Sequence, residues 1–99
     1  MTFVLPKFVA ELAQTDPPLF QLLQDTIDLT MRPGALDSKT KILIVLALDA
    51  FKGSEAGVSA LVGQARNAGA TEEEIREALR IAYLISGMDC LKASAAAQI

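Results

Sequence analysis

Residues 38–51 read SKTKILIVLALDAF, and their centre, from Ile42 to Leu48, is seven apolar residues in a row. Asp37 can cap a helix at this point, and the polar residues 39–41 lead into the run, so the stretch predicts a helix over about 38–51 rather than a buried strand. A helix that is apolar on every face must be covered on every side. Because a chain of this size buries only about two thirds of its unfolded surface, we expect another copy of the chain to cover part of this helix.

The rest of the sequence predicts five further helices, separated by turn-forming residues. They cover about residues 3–14, 17–31, 55–68, 72–85 and 88–98. Ala and Leu, both strong helix formers, supply thirty of the 99 residues, whereas Gly and Pro supply ten. We therefore expect an all-α fold, a compact bundle of about five to six helices, in one domain over residues 1–99.

Capping signals and apolar stripes support these assignments. Asp16 can cap the second helix, and Thr71 with Glu74 matches a capping box at the start of the fifth. Apolar residues at helical spacing predict the inward faces. In the first helix these are Phe8, Val9 and Leu12; in the second, Leu19, Leu22, Leu23, Ile27 and Thr30 or Met31; in the fifth, Ile75, Ala78, Leu79, Ala82 and Ile85.

The sequence has no His and a single Cys, Cys90, which excludes several kinds of site within one chain. They include a Ser-His-Asp triad, a His-ligated metal, an intramolecular disulfide and a Cys-x-x-Cys pair. We predict no metal and no cofactor. The net charge is −3 and no basic stripe occurs, so we expect no nucleic-acid partner.

No segment predicts a membrane association. The longest apolar run has seven residues, whereas a membrane-spanning helix needs about 20. The first residues, MTFVLPK, lack a basic region ahead of their apolar residues and do not resemble a signal peptide. We expect the protein to be cytoplasmic.

Two segments give the sequence a family resemblance. Residues 33–44 read PGALDSKTKILI and residues 68–79 read AGATEEEIREAL, with Gly53 and a helix between them. Their order and spacing resemble the carboxymuconolactone decarboxylase family, which includes the alkylhydroperoxidase D-like proteins. The resemblance covers about residues 33–97, two thirds of the chain. It implies an all-helical fold and a homo-oligomer, most simply a trimer or hexamer.

The resemblance also implies where redox members of the family keep their chemistry. They carry a Glu, a Cys-x-x-Cys pair and a His, in which a thiolate near a helix N-terminus reacts and a second thiol resolves it. The matching positions here are Ile42 for the Glu, Ser54 and Gly57 for the two Cys, and Leu61 for the His. The lactone-decarboxylating branch keeps the His, which Leu61 also replaces. Neither activity therefore transfers with the family name.

Three residues near these positions are candidates for a pocket. Asp49 lies seven residues after Ile42, on nearly the same helix face, and could act as a general acid or base; otherwise it reaches water or pairs with Lys52 or Lys92. Ser54 could be a nucleophile or a pocket hydroxyl; otherwise it caps the fourth helix. Glu55 could be a general base; otherwise it complements the helix dipole.

Three other residues invite a functional interpretation. Cys90 could be activated at a helix start, but a small buried apolar role is the simpler prediction. Tyr83 could offer a phenol to a ligand or form half-buried packing. Asp89 could join Asp49 and Glu55 around a cation, although no loop spacing supports such a site.

The residues leave three functional hypotheses. The first is an oligomeric family member that binds a small molecule or acts as a scaffold, without thiol peroxidase chemistry. The second is a lyase or isomerase of a small lactone or hydroxy acid that uses carboxylates. The third is a partner subunit of an active homologue. Whether the protein is an enzyme stays open at this point, and a solvent-open pocket around Asp49 and Ser54 would favour the second.

Overall fold

The computed structural model describes residues 3–98 and contains six α-helices in that range. They are α1 (Lys7–Thr15), α2 (Pro17–Met31), α3 (Ser38–Phe51), α4 (Glu55–Asn67), α5 (Glu72–Ser86) and α6 (Met88–Ser94), followed by a 3₁₀ turn at Ala95–Ala97. The predicted all-α fold is confirmed, and α2 to α5 begin and end within one residue of the predicted positions. Between residues 3 and 98, no helix combines the length and the hydropathy needed to cross a bilayer.

The first and last helices are shorter than predicted. Residues 3–6 lie outside any helix and α1 starts at Lys7, because Pro6 has φ −57° and ψ 148° and a proline disfavours helical conformation in the residue before it. At the other end, α6 stops at Ser94 and gives way to the 3₁₀ turn, after which Gln98 adopts a left-handed conformation with φ 56°.

The hydrophobic core is built around α3, which packs against α4, α5 and α6. Leu46 and Ala50 are fully buried on its inner side and Ile42 is almost so. Of the described residues, thirteen form this buried cluster, and all thirteen lie between α3 and the 3₁₀ turn. They are Ile42, Leu46, Ala50, Val58, Leu61, Val62, Ala65, Ile75, Leu79, Ala82, Cys90, Ala93 and Ala97.

Parts of the predicted inward faces stay exposed. No residue of α2 is buried, and Leu22 on its apolar stripe is 66% exposed. Phe8 in α1 is 71% exposed although Val9 is buried, and Ile85 at the end of α5 is 70% exposed. The prediction that these side chains point into the core of their own chain was wrong for Phe8, Leu22 and Ile85, and also for Leu19, which is exposed. Periodicity identifies an apolar stripe but not the surface that covers it.

Local hydrogen bonds confirm the predicted helix caps. The Asp37 carboxylate accepts a hydrogen bond from Thr40 N at 2.8 Å, which holds the pKa of that carboxyl below its usual value. The Thr71 hydroxyl accepts from Glu74 N at 3.1 Å, and the Glu74 carboxylate accepts from Thr71 N at 2.8 Å. Glu74 also pairs with Lys39 at 2.8 Å, which ties the start of α5 to the start of α3.

Candidate functional site

A cavity of 520 Å³ lies where the N-terminal segment meets α3 and α4. Most of its walls are apolar, and its polar side chains are those of Asp49, Lys52, Ser54 and Gln64. We call it the Asp49 pocket. Its lining residues are Phe3, Val4, Leu5, Pro6, Phe8, Val45, Asp49, Lys52, Ser54, Ala56, Gly57, Ala60, Leu61 and Gln64.

The carboxylate of Asp49 lies directly against the backbone of Gly57. A Cβ atom at position 57 would come within 2.9 Å of Asp49 Cγ and 2.8 Å of Ser54 Oγ, closer than real Cβ atoms approach other heavy atoms. Any side chain at position 57 would therefore displace the carboxylate or the hydroxyl. Glycine at this position makes the space in which the Asp49 carboxylate sits.

Ser54 caps the start of α4 and is also hydrogen-bonded to the backbone of Asp49. Its hydroxyl accepts a hydrogen bond from Gly57 N at 3.1 Å, so it serves as the predicted N-cap. Its backbone N–H donates to Asp49 O at 3.0 Å, which fixes the turn between α3 and α4. Because the capping bond uses the hydroxyl as an acceptor, the hydroxyl proton remains available to a ligand in the pocket.

The N-terminal segment closes one side of the Asp49 pocket. Gln64 on α4 clips it in place: Val4 N donates to Gln64 Oε1 at 3.1 Å, and Gln64 Nε2 donates to Val4 O at 3.3 Å. The sequence analysis missed this wall because it assigned residues 3–6 to the first helix. Pro6 was the available signal, since it favours an extended chain just before a helix start.

The structure separates the candidate residues into two groups. Asp49, Ser54, Gly57 and Leu61 all line the Asp49 pocket. Ile42 does not: it is buried in the core two turns earlier on α3, so the shared helix face does not bring it into the pocket. Glu55 is exposed in the first turn of α4 and lies outside the lining set.

Asp49 has no partner among the described residues. It forms an ion pair with neither Lys52 nor Lys92, and no residue in the range 3–98 donates a hydrogen bond to its carboxylate. The predicted alternative of a pair with one of these lysines is therefore wrong, whereas the alternative in which Asp49 reaches water agrees with its partial exposure. A carboxylate in a mostly apolar cavity is left free to accept a hydrogen bond or an ion pair from a bound molecule.

The other singled-out residues lie away from this pocket. Cys90 is fully buried, as predicted, with Sγ 3.9 Å from Leu79 O and 3.7 Å from Ser94 Oγ. Tyr83 is partly exposed on α5 and lines a different groove. Within residues 3–98, no three His, Cys, Asp or Glu side chains are grouped closely enough to hold a metal ion. Asp49, Glu55 and Asp89 therefore form no cation site in this part of the chain.

Comparisons with known proteins identify the fold and the family of this chain. Two crystal structures share the fold. A carboxymuconolactone decarboxylase family protein from Legionella pneumophila matches with a TM-score of 0.83 and 29% identity, over 90% of this chain and 80% of that one. A proposed carboxymuconolactone decarboxylase from Burkholderia xenovorans LB400 matches with a TM-score of 0.82 and 25% identity, over 95% of this chain and 77% of that one. No curated protein matches the chain significantly. The model of the carboxymuconolactone decarboxylase family matches residues 17–98, and the chain therefore belongs to that family.

Proposed function

We propose that this protein is a small-molecule-binding member of the carboxymuconolactone decarboxylase family and that the Asp49 pocket holds the ligand. The observation that carries the proposal is the Asp49 carboxylate, which has no partner within residues 3–98 and is set into the space left by Gly57 inside a 520 Å³ cavity with mostly apolar walls. Ligand sites in proteins commonly combine apolar walls with a few polar groups that fix orientation.

We infer the ligand's chemistry from the Asp49 carboxylate and the apolar walls, because Lys52, the one cation among the described lining residues, is exposed. The Asp49 carboxylate only accepts hydrogen bonds, so the ligand would present a hydroxyl or ammonium group to it. Phe3, Phe8 and Leu61 would contact an apolar body. We therefore expect a compact, largely apolar alcohol or amine.

The residues that a dithiol cycle needs are not available in a single chain. Such a cycle requires two thiols that exchange a disulfide, but the sequence has one Cys and no His. Cys90 is also buried and does not line the Asp49 pocket. We therefore expect no reduction of hydroperoxides with a dithiol donor. Turnover that persists after Cys90→Ser would contradict this part of the proposal.

The binding proposal is tested by titrating the ¹⁵N-labelled chain with benzylamine and with benzyl alcohol and recording the NMR chemical shifts of its amides. We expect chemical-shift changes at Asp49 and at residues 54–64, and an affinity for benzylamine about tenfold lower in Asp49→Asn. Glu55→Gln is the matched control, because it removes a neighbouring carboxylate that lies outside the pocket lining. Equal affinities in wild type and Asp49→Asn, or shift changes confined to other surfaces, would refute the proposed site.

A second candidate is a lyase or isomerase of a small lactone or hydroxy acid. One observation favours it: the Asp49 carboxylate and the Ser54 hydroxyl line the same pocket, where they could serve as general base and hydrogen-bond donor. On this hypothesis wild-type protein converts such a substrate, and Asp49→Asn lowers the rate by about 10² to 10⁴. If the wild-type protein binds such a substrate but forms no product, the enzyme hypothesis is wrong and only the binding function remains.

We also propose that the protein is a homo-oligomer, a trimer or hexamer. No residue of α2 is buried within its own chain, and Ile44, Leu48 and Ile81 line a second, open groove of 450 Å³ between α3 and α5. Exposed apolar side chains that line one groove are typical of an interaction site. Light scattering at micromolar concentration tests the proposal, and a stable monomer would contradict it. Purification together with a cysteine-bearing homologue would support the partner-subunit hypothesis instead.

A further inference from the structure

A second concave surface, between α5 and α6, has no role in the function proposed above. It is a groove of 220 Å³ that shares no lining residue with the Asp49 pocket. Its lining residues are Arg76, Leu79, Arg80, Tyr83, Leu91 and Ser94. We call it the Arg groove.

The Arg groove carries a net positive charge. Arg76 and Arg80 lie one turn apart on α5, and Glu73 holds both, with Nη1 of Arg76 at 3.3 Å and Nη1 of Arg80 at 3.2 Å from its carboxylate oxygens. Each guanidinium has five N–H donors, so this bridge leaves most of them unused. The neighbouring Glu72 is already engaged by Arg66 at 2.7 and 3.0 Å. Two cations against one bridging anion leave one positive charge, which a single carboxylate would neutralise.

The rest of the Arg groove is apolar or weakly polar. Leu79 is buried at its base and Leu91 forms part of its wall, while Tyr83 adds an aromatic ring. An apolar cavity of about 150 Å³ accommodates benzene, so 220 Å³ has room for a ring and its carboxylate. The planar fork of a guanidinium matches the geometry of a carboxylate better than that of a spherical anion.

We infer that the Arg groove binds a compact aromatic monocarboxylate. The carboxylate contacts Arg76 and Arg80, and the ring lies against Leu79, Tyr83 and Leu91. Both parts contribute, because a bare anion contacts only the guanidinium groups and a neutral aromatic molecule contacts only the apolar wall. The site is independent of the Asp49 pocket, which would receive a donor group rather than an anion.

The test is an NMR titration of the ¹⁵N-labelled full chain with benzoate, with benzyl alcohol and inorganic phosphate as comparison probes. We expect benzoate to shift the amide signals of residues 76–83 and 91–94, and to bind these residues about tenfold more tightly than either comparison probe does. Arg80→Gln should weaken benzoate binding about tenfold. Arg66→Gln is the matched control, since it removes an ion-paired arginine outside the groove and should leave the affinity unchanged.

Four results would overturn the inference. They are an absence of saturable shifts at millimolar benzoate, shifts centred on Asp49 instead of the Arg groove, unchanged affinity in Arg80→Gln, and phosphate that binds as tightly as benzoate. Circular dichroism and the thermal midpoint of each variant show whether it is folded. Tyr83→Leu, which removes the ring but keeps the charges, provides a second variant and should also weaken benzoate binding.

Discussion

The pair of helices α1 and α2 and the bundle of α3 to α6 contain similar proportions of apolar residues, but only the bundle buries many of them. The bundle contributes the whole buried cluster of thirteen residues. The pair contributes one buried side chain, Val9, and α2 contributes none. Both regions contain capped helices, with Asp16 at the start of α2 and Asp37, Ser54 and Thr71 at the starts of α3 to α5, so capping does not explain the difference. It comes from contacts: α3 has neighbours on several sides, whereas α2 packs on α1 and touches α3 only narrowly.

This difference shows that the local sequence determines where a helix forms, whereas packing determines how much that helix contributes to stability. Helices this short gain most of their stability from packing of an apolar face rather than from propensity. The bundle supplies that packing within one chain. The apolar stripe of α2 needs a surface from outside the chain, which is why we propose that a second copy provides it.

The largest expected effect contrasts the two regions directly. Leu46→Ala removes a fully buried side chain from α3 and should lower the free energy of unfolding by about 2–5 kcal/mol. Leu22→Ala in α2 should cost less than about 0.5 kcal/mol in protein dilute enough to be monomeric. Urea unfolding at that concentration, checked by sedimentation, measures both values. Similar losses for the two variants would break the comparison.

The next effect concerns what covers α2. Leu22→Glu places a charge on its apolar stripe and should weaken self-association about 100-fold, or about 3 kcal/mol, while each chain stays folded. Light scattering over a range of concentrations gives the mass, and circular dichroism gives the helix content. Gln21→Lys, a charge one residue away on the polar side, is the control and should leave the mass unchanged. If Leu22→Glu also leaves it unchanged, the contact lies elsewhere.

A smaller effect tests the close approach of Asp49 to Gly57. Gly→Ala within a helix normally stabilises by about 0.5–1 kcal/mol, and Gly63→Ala should do so because, apart from its chain neighbours and the nearby backbone of its own helix, nothing lies within 4 Å of its Cβ position. Gly57→Ala should gain about 1 kcal/mol less, since the new methyl group meets Asp49 and Ser54. In an Asp49→Ala background the shortfall should shrink. Equal gains at both glycines in the wild-type background would disprove the close contact.

The smallest expected effect is on the pH dependence of stability, and it comes from the ion pair between Lys39 of α3 and Glu74 of α5. Two hydrogen bonds hold the pKa of the Glu74 carboxyl below its usual value. The one from Lys39 contributes most, and the one from Thr71 N contributes less. A depressed folded-state pKa gives stability above the unfolded-state pKa that is lost as the pH falls through the folded-state pKa. Wild type should therefore lose more stability than Glu74→Gln between about pH 6 and pH 3. Thermal melts at several pH values measure this loss of stability. Glu55→Gln is the control, because Glu55 forms no ion pair within residues 3–98. Parallel curves of melting temperature against pH for wild type and Glu74→Gln would contradict the prediction.

The sequence by itself determined the features that depend on neighbours a few residues away. The helix starts at Asp37, Ser54 and Thr71 follow from side chains that cap the amide three residues on, so they could be predicted from the order of residues alone. The family resemblance used the same kind of local pattern, and the family model that matches residues 17–98 confirms it. The start of α1 could also have been placed correctly, because Pro6 acts on the residue next to it.

Only the tertiary structure decided which apolar stripes are buried and which polar groups meet. Ile85 and Leu22 follow their helical periodicity as well as Leu79 does, yet of the three only Leu79 is buried. The approach of Asp49 to Gly57 depends on the turn that joins α3 to α4, and the wall of the Asp49 pocket depends on Val4 meeting Gln64 sixty residues away. Such contacts are set by the packing of whole helices. A periodic sequence identifies the apolar side of a helix, but it does not identify the element that packs against that side.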